Sequence, residues 1–261
     1  MRSMAPIRAR RLARQPAPLA AQPAQANDLF NRHLAVVPAD SAELQEKAFQ
    51  LRYQVYCLER GFENAADYPD GRERDGDESR SLHSLLLDRA TGAAVGTVRL
   101  ILPRRGDDLP VFRLIGAGRL RSAGLPRETT AEVSRFAVAK AFRRRLEDGW
   151  RSRSGRVAAD GREPLQLLTF GLIRAVVMMG ALGDVTHVVA MMEPALLRLL
   201  RRLGIAFHPL GRMVNHHGLR QPCWALGEQL IACVNKCHPE LGEIISDGRR
   251  QLLAAPATAY A

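Results

Sequence analysis

The sequence is poor in aromatic residues: 5% of its 261 positions, with eight Phe, four Tyr and two Trp. Recognition of single-stranded nucleic acid needs aromatic platforms interleaved with basic residues, so this scarcity argues against it. Only four cysteines are present, Cys57, Cys223, Cys233 and Cys237, too few and too scattered for a disulfide scaffold. The longest apolar runs, such as Ala175–Met179, fall far short of the roughly 20 residues of a membrane span. There is no P-loop, no dinucleotide fingerprint and no nucleophile elbow. What is present is an ordinary globular composition, 46% hydrophobic, enough for a sizeable core. The conspicuous excess is positive charge, a formal +11. A chain this basic is expected to meet an acidic partner: nucleic acid, anionic membrane or acidic protein.

The excess sits in two places. Residues 1–27 carry five arginines and no acid, in an Ala/Pro/Gln-rich stretch without hydrophobic periodicity. This reads as a basic, disordered tail over residues 1–30, followed by a single domain over 31–250 and a flexible C-terminus over 251–261. Residues 140–162 carry eight basic residues against three acidic ones, with Arg143, Arg144 and Arg145 in a row. The opposite bias falls between Glu59 and Glu78, where eight acids surround the turn signal Pro69-Asp70-Gly71. That loop is either a solvated surface or a site for a cationic group.

Asp40 with Glu43 forms a capping box, and Leu44, Ala48, Leu51, Val55 and Leu58 follow at helical spacing. Arg52, Tyr56 and Glu59 lie off that stripe. Leu82–Leu87 and Val95–Leu102 flank a turn and predict a β-hairpin. Residues 103–130 read as loop, and Glu132–Val138 as a short strand. Pro164–Leu182, apolar nearly all round, predicts a buried helix, and Val185–Met191 a buried strand. Pro194 opens a further helix that Gly204 closes. Antiparallel strands followed by helix–strand–helix imply one mixed α/β (α+β) domain.

Glu132 and Arg135 give the sharpest local signal, because an acid and a base on an apolar strand are costly to bury unless paired or functional. Regular pleating puts them on opposite faces, so a shared site requires a bulge. A structural ion pair at a sheet edge is an equal alternative. Arg99 in Gly96-Thr-Val-Arg-Leu reaches either into a cleft or, on pattern alone more commonly, into water from an edge strand. His216-His217 and Cys233-Val-Asn-Lys-Cys237-His238 do not have metal-site spacing, and no metal is expected.

Arg52-Tyr-Gln-Val-Tyr-Cys57, Asp75-x-x-Glu78, Gly96-Thr-Val-Arg99-Leu and Glu132-Val-Ser-Arg135-Phe-Ala-Val occur in this order. Together they resemble the acyl-homoserine-lactone (autoinducer) synthases and the long-chain N-acyl amino acid synthases of the GNAT acyltransferase superfamily. Gly61-Phe-Glu63, Ser81-Leu-His83, Phe142-Arg-Arg-Arg145, Met192-Glu-Pro-Ala-Leu-Leu-Arg198 and His217-Gly-Leu-Arg-Gln-Pro-Cys223 extend the resemblance to the acyltransferases of PEP-CTERM/exosortase systems, over roughly residues 35 to 247. The resemblance implies a GNAT-like fold. Its central, mostly antiparallel twisted sheet would split in a V between the strands near 132–138 and 185–191.

It also implies roles. Glu132 and Arg135 would be catalytic. Arg52, Asp75, Glu78, Arg99 and Ser134 would bind substrate. Arg143, Arg144 and Arg145 would meet a phosphopantetheine phosphate and the acidic surface of acyl carrier protein. The donor would be an acyl-phosphopantetheine thioester, acyl carrier protein or coenzyme A, with no tightly bound cofactor. The acceptor would be a small amine. Glu78 stands where the autoinducer synthases usually have Asp, which favours an amino-acid acceptor over S-adenosylmethionine. Met178, Met179, Met191 and Met192 could line an acyl tunnel, with plain core the commoner fate of such residues. A cytoplasmic enzyme is expected, at most peripherally associated with membrane. The competing reading from another class is a basic nucleic-acid- or membrane-surface-binding module without catalysis.

Overall fold

A computed structural model of the chain describes residues 23–142 and 162–254. Helix α1 (Pro23–His33) leads into strand β1 (Leu34–Pro38), then helix α2 (Ala42–Arg52). A π-helical turn over Tyr53–Glu59 continues α2 directly. The acidic loop follows, then the hairpin β2 (Ser81–Asp88) and β3 (Ala94–Ile101), two short helices α3 (Pro110–Ile115) and α4 (Gly118–Ser122), and β4 (Thr130–Val138). The second half contains α5 (Arg162–Leu182), β5 (His187–Met192), α6 (Pro194–Arg202), β6 (His208–Pro209), β7 (Val214–Asn215), β8 (Leu219–Leu226), α7 (Gly227–Cys237) and α8 (Pro239–Ala254).

These strands form one sheet in the order β1-β2-β3-β4-β5-β8-β6, with β7 against β8. Every pairing is antiparallel except β4 with β5. That parallel pair is short: Thr130, Ala131 and Glu132 face His187, Val188 and Val189, and there the ladder ends. β5 goes on to pair with β8 through Met192, while β4 goes on along β3 to Val138. The two strands therefore splay apart, as the sequence resemblance implied.

Both faces of the sheet are covered. The two-residue alternation of β2 sends Leu86 toward Phe30 of α1 and toward α5, and sends Leu85 toward Ala48 of α2. Helix α5 packs so closely that a Cβ at Gly171 would lie 2.8 Å from Phe30 Cε2 and 2.9 Å from Leu86 Cδ1. Each fully buried leucine in these layers contributes about 1.5–3 kcal/mol of burial free energy. Three sequence expectations need adjusting. Helix α1 starts at Pro23, inside the expected tail, and Phe30 and Leu34 are core residues. It runs on past residue 250, since α8 extends to Ala254. The loop expected over 103–130 contains α3 and α4, whose Val111, Phe112 and Leu120 bury against Ile101 and Val189. The remainder of the basic tail, residues 1–22, lies outside the described residues.

Candidate active site

The site is built on β3 and β4, and the acidic loop closes over it. Along β4 the register with β3 slips: Thr97 faces Ala137 and Arg99 faces Ser134, so Val98 alone spans Arg135 and Phe136. This is the bulge that a shared role for neighbouring β4 side chains requires. Arg135 sits in the left-handed region, with φ of 51°. For an arginine that backbone is strained and persists only where surrounding contacts hold it. Here the bulge sends the consecutive Ser134 and Arg135 into the same cluster. Ser134 Oγ accepts a hydrogen bond from Arg99 Nε at 2.9 Å. Arg135 grips Glu73 through Nε and Nη2, at 3.0 and 2.7 Å.

Three arginines and four carboxylates interlock. Arg99 Nη1 and Nη2 donate to the two oxygens of Asp75, at 2.7 and 2.8 Å, and Nη1 also reaches Glu78 at 3.0 Å. Arg52 bridges Glu73 at 2.6 Å and Glu78 at 2.8 Å. Glu63 approaches Arg135 at 3.5 Å. His83 Nε2 lies 2.9 Å from Glu78 Oε2. The Arg135 guanidinium stacks on Tyr56, 5.2 Å from its ring centre. The titration of these groups follows from the pairing. Burial pushes Glu73, Asp75 and Glu78 upward, but the facing guanidinium groups, and for Glu78 also His83, outweigh it and hold all three below the usual carboxylate range. Burial works against the charge of Arg52 and Arg135, and the carboxylates reverse it. Burial holds His83 below its ordinary value, against the pull of Glu78.

Glu132 behaves differently. It makes no ion pair with Arg135, so the structural-pair alternative is not what the fold does. Its side chain is 4% exposed, and Oε2 accepts the backbone N–H of Val111, at the start of α3, at 2.8 Å. Burial raises its carboxyl to about 7, and the Val111 N–H only partly offsets this. A buried carboxyl poised near neutrality is the form in which a general acid–base works at physiological pH.

A cavity of about 920 Å³ joins these groups to an apolar arm. Glu63, Asp75, Arg99, Glu132, Ser134 and Arg135 line its polar end. The apolar arm opens where β4 and β5 splay, between Phe136 and Val138 on one side, Val188, Ala190 and Met192 on the other, with Ile173, Val176, Leu196, Leu199 and Leu200 above. Past Glu132, the β5-facing edge of β4 has no strand partner. Its backbone groups therefore face this space.

Several sequence expectations shift here. Arg52 and Glu78, expected as substrate contacts, are not among the cavity-lining residues. Arg52 is fully buried and holds Glu78, which in turn accepts from Arg99 and from the Asp75 backbone N–H. Arg99 is a central, buried residue, not an edge arginine facing water, and Asp75 already occupies its bidentate face. Met191 and Met192 line the cavity, whereas Met178 and Met179 are buried core and do not. The Lys140 backbone N–H, where the phosphate-receiving segment was expected to start, is taken by the Glu59 carboxylate at 3.0 and 3.2 Å. Arg143, Arg144 and Arg145 lie outside the described residues. Glu73 and His83 were not singled out by spacing. Glu73 was legible only as one acid among eight. Among the described residues no cluster of three or more His, Cys, Asp or Glu is arranged for a metal, and no helix is long and apolar enough to cross a membrane.

Comparison with known proteins agrees with this architecture. Residues 51–148 match the acetyltransferase (GNAT) domain family. No curated protein matches the chain by sequence. Among solved structures, TofI, crystallised in a ternary complex with an inhibitor and MTA, superposes with a TM-score of 0.56 at 21% identity, covering 80% of this chain and 99% of TofI. BjaI, a CoA-dependent acyl-homoserine lactone synthase solved with SAM and isopentyl-CoA, gives 0.55 at 18% identity, covering 84% of this chain and 99% of BjaI. FeeM, an N-acyl amino acid synthase from uncultured soil microbes, gives 0.50 at 13% identity, covering 77% of this chain and 93% of FeeM. The chain thus has a fold of the GNAT class, with residues 51–148 similar to the acetyltransferase domain. Within that class its architecture is the one shared by the acyl-homoserine-lactone synthases and FeeM.

Proposed function

We propose that this protein is an N-acyltransferase that moves a fatty acyl chain from a carrier-bound thioester to the amine of an amino acid or related small acceptor. One observation carries the reading: a single cavity of about 920 Å³ joins a dense charged floor to an arm lined by apolar side chains. Acyl carrier protein is the proposed donor, in keeping with the basic stretch at 140–162. The sequence motifs favour a member of the PEP-CTERM/exosortase-associated group.

In this mechanism the acyl chain occupies the arm between β4 and β5. The thioester carbonyl lies against the unpaired edge of β4, where backbone N–H groups stabilise the oxygen as it gains charge. The acceptor amine enters beside Glu132, which removes a proton from the attacking nitrogen. The nitrogen–carbon bond forms, the carbon–sulfur bond breaks, and the proton passes to the departing thiolate. A carboxyl near 7 can both take and return that proton. Asp75 and Arg99, locked to each other, shape the acceptor's seat rather than clamp a carboxylate.

A second reading is an acyl-homoserine-lactone synthase that uses S-adenosylmethionine. Its support is the structural likeness to BjaI, a synthase solved with SAM. Mass spectrometry of lipid extracts from an overexpressing strain separates the two. An N-acyl amino acid confirms the first; a lactone with released methylthioadenosine confirms the second. No acylated amine in either form overturns both.

A further inference from the structure

Glu132 depends on one hydrogen bond, the Val111 N–H on Oε2 at 2.8 Å, and Oε1 accepts none among the described residues. Its neighbours on the flanking strands, Ile101 and Val189, are apolar. The charged groups that face it are Arg99 on β3, Asp77 in the acidic loop and Arg113 on α3. The place of the Val111 N–H therefore decides how this carboxyl is held. That N–H belongs to a weak element. Helix α3 has six residues and no side-chain cap at its start, and a helix so short does not hold itself. Buried Val111 and Phe112 give it apolar anchorage.

A charged clamp supplies the rest. Asp77 follows Asp75 by two residues but points away from the Arg99 cluster. Its two oxygens receive both terminal nitrogens of Arg113, and Oδ1 also receives Arg80 Nε and Nη2 at 3.1 and 2.7 Å. Arg80 and Arg113 each donate a second bond, at 3.0 Å, to the carbonyl of Asp108, just before α3. The clamp thus grips the first turn of α3 from within the helix and from the chain that enters it. Burial works against the charge of Asp77, and Arg113 and Arg80 outweigh it, holding the carboxyl below the usual range. Asp77 also donates its backbone N–H to Asp75 Oδ1 at 3.0 Å, so the loop that seals Arg99 carries the clamp as well.

Resting on the reading of Glu132 as the base, we propose that Asp77 and Arg113 are its positioning residues: they fix the first turn of α3, and through the Val111 N–H they aim the Glu132 carboxylate into the cavity. An N–H bonded to the ionised form lowers a carboxyl, so loosening the turn raises Glu132. The Val111 N–H acts on Glu132 more strongly than the field of Asp77 does. Positioning and plain charge therefore differ in sign. Asp77→Asn removes a nearby negative charge, which by field alone lowers Glu132; through the clamp it raises it. Arg113→Lys keeps the charge, but one ammonium cannot span both Asp77 oxygens and the Asp108 carbonyl.

The test titrates the full-length protein with ¹³C-labelled glutamate carboxyls by NMR, the Glu132 signal being the one missing in Glu132→Gln. The wild-type signal is expected to titrate near about 7. Asp77→Asn raises it by about one pH unit, and Arg113→Lys raises it by less. Thiol release from acylated carrier protein, with the common amino acids and S-adenosylmethionine together as acceptors, then has its rising limb displaced in the same direction and falls by about tenfold or more. A fall or no movement in Asp77→Asn, or an unmoved Arg113→Lys, overturns the inference. Should Asp77→Asn fail to fold, Arg113→Lys, at a half-exposed residue, decides alone. Failure of the acyl-transfer reading shows separately, as no thiol release by the wild type or an unchanged limb in Glu132→Gln; the titration still decides whether the clamp sets Glu132.

Discussion

Glu73 and Glu132 face opposite circumstances within one site. Both are buried glutamates: Glu73 reaches Arg135 of β4 from the acidic loop, and Glu132 stands on β4 itself. Glu73 is surrounded by two guanidinium groups and stays ionised below the usual range. Glu132 has one backbone N–H and no guanidinium bonded to it, and its carboxyl rises to about 7. The difference separates two jobs. A carboxylate locked between arginines is a brace: it cannot exchange a proton near neutrality, but it fixes the guanidinium groups that shape the cavity. A lone buried carboxyl is a poor brace and a good proton carrier. Part of the free energy of folding is given up at Glu132, consistent with a site kept for chemistry rather than stability.

The largest effect expected from this contrast is on turnover. Glu132→Gln, which keeps the Val111 hydrogen bond through its amide oxygen, lowers kcat by about 10²–10⁴-fold in an acyl-transfer assay. Unchanged turnover removes Glu132 from the proton path. Glu73→Gln acts on the other side of the comparison. It leaves Arg52 and Arg135 facing a neutral group, and breaking one partner of a buried ion-pair network costs about 3–5 kcal/mol. Denaturant unfolding reads this loss directly. A cost under about 1 kcal/mol would mean that the cluster reorganises without Glu73.

The two carboxyls also predict opposite pH dependences. Glu132 has a folded pKa above its unfolded value, so the folded state holds its proton longer. Its stabilising contribution is complete below about 4.5 and is lost as pH rises through about 7, a change on the order of 3 kcal/mol at most. Glu73, Asp75 and Glu78 have depressed folded pKa values, so their contribution is present above the ordinary carboxylate range and is lost as pH falls below it. Stability is therefore expected to peak in mildly acidic solution and to decline on both sides. In the mechanism proposed above, activity requires the Glu132 carboxylate and is expected to climb through about pH 7. In Glu132→Gln the decline of stability between about pH 4.5 and 7 disappears while the acid limb remains. Thermal unfolding across pH, compared between the two proteins, checks both limbs.

Much of this frame was legible in the sequence. The hairpin over 82–102 was read from two apolar runs flanking a turn, the helix near 164–182 from its nearly all-round apolarity, and the helix after Pro194 from its Pro start and Gly end. The bulge was legible only as a condition, that Glu132 and Arg135 could share a site if the strand gained a residue. The pairing of the acidic loop was not legible. Arg52 meets Glu73 across 21 residues and Arg135 meets it across 62, and no local pattern encodes which of eight acids closes on which arginine. Helix starts were also approximate: Ser41, not Asp40, caps α2 through Leu44 N, because its hydroxyl reaches the third residue beyond it.

The smallest predicted effect tests the one place where periodicity misled. Counting by 3.6 puts Leu58 on the same buried stripe as Leu51 and Val55. The chain leaves α-helical geometry after Arg52, and the wider π turn adds about one residue per turn, which rotates every later side chain backward around the axis. Cys57 takes the inward position, and Leu58 is 63% exposed. The same rotation swings Tyr56 onto Arg135, so the π turn also positions part of the charged floor. Leu51→Ala is therefore expected to cost about 2–5 kcal/mol, as a buried leucine does, and Leu58→Ala to stay within about 0.5 kcal/mol of wild type. A large loss at Leu58 would mean that the segment winds as an α-helix in solution, and the Tyr56 contact with Arg135 would go with it.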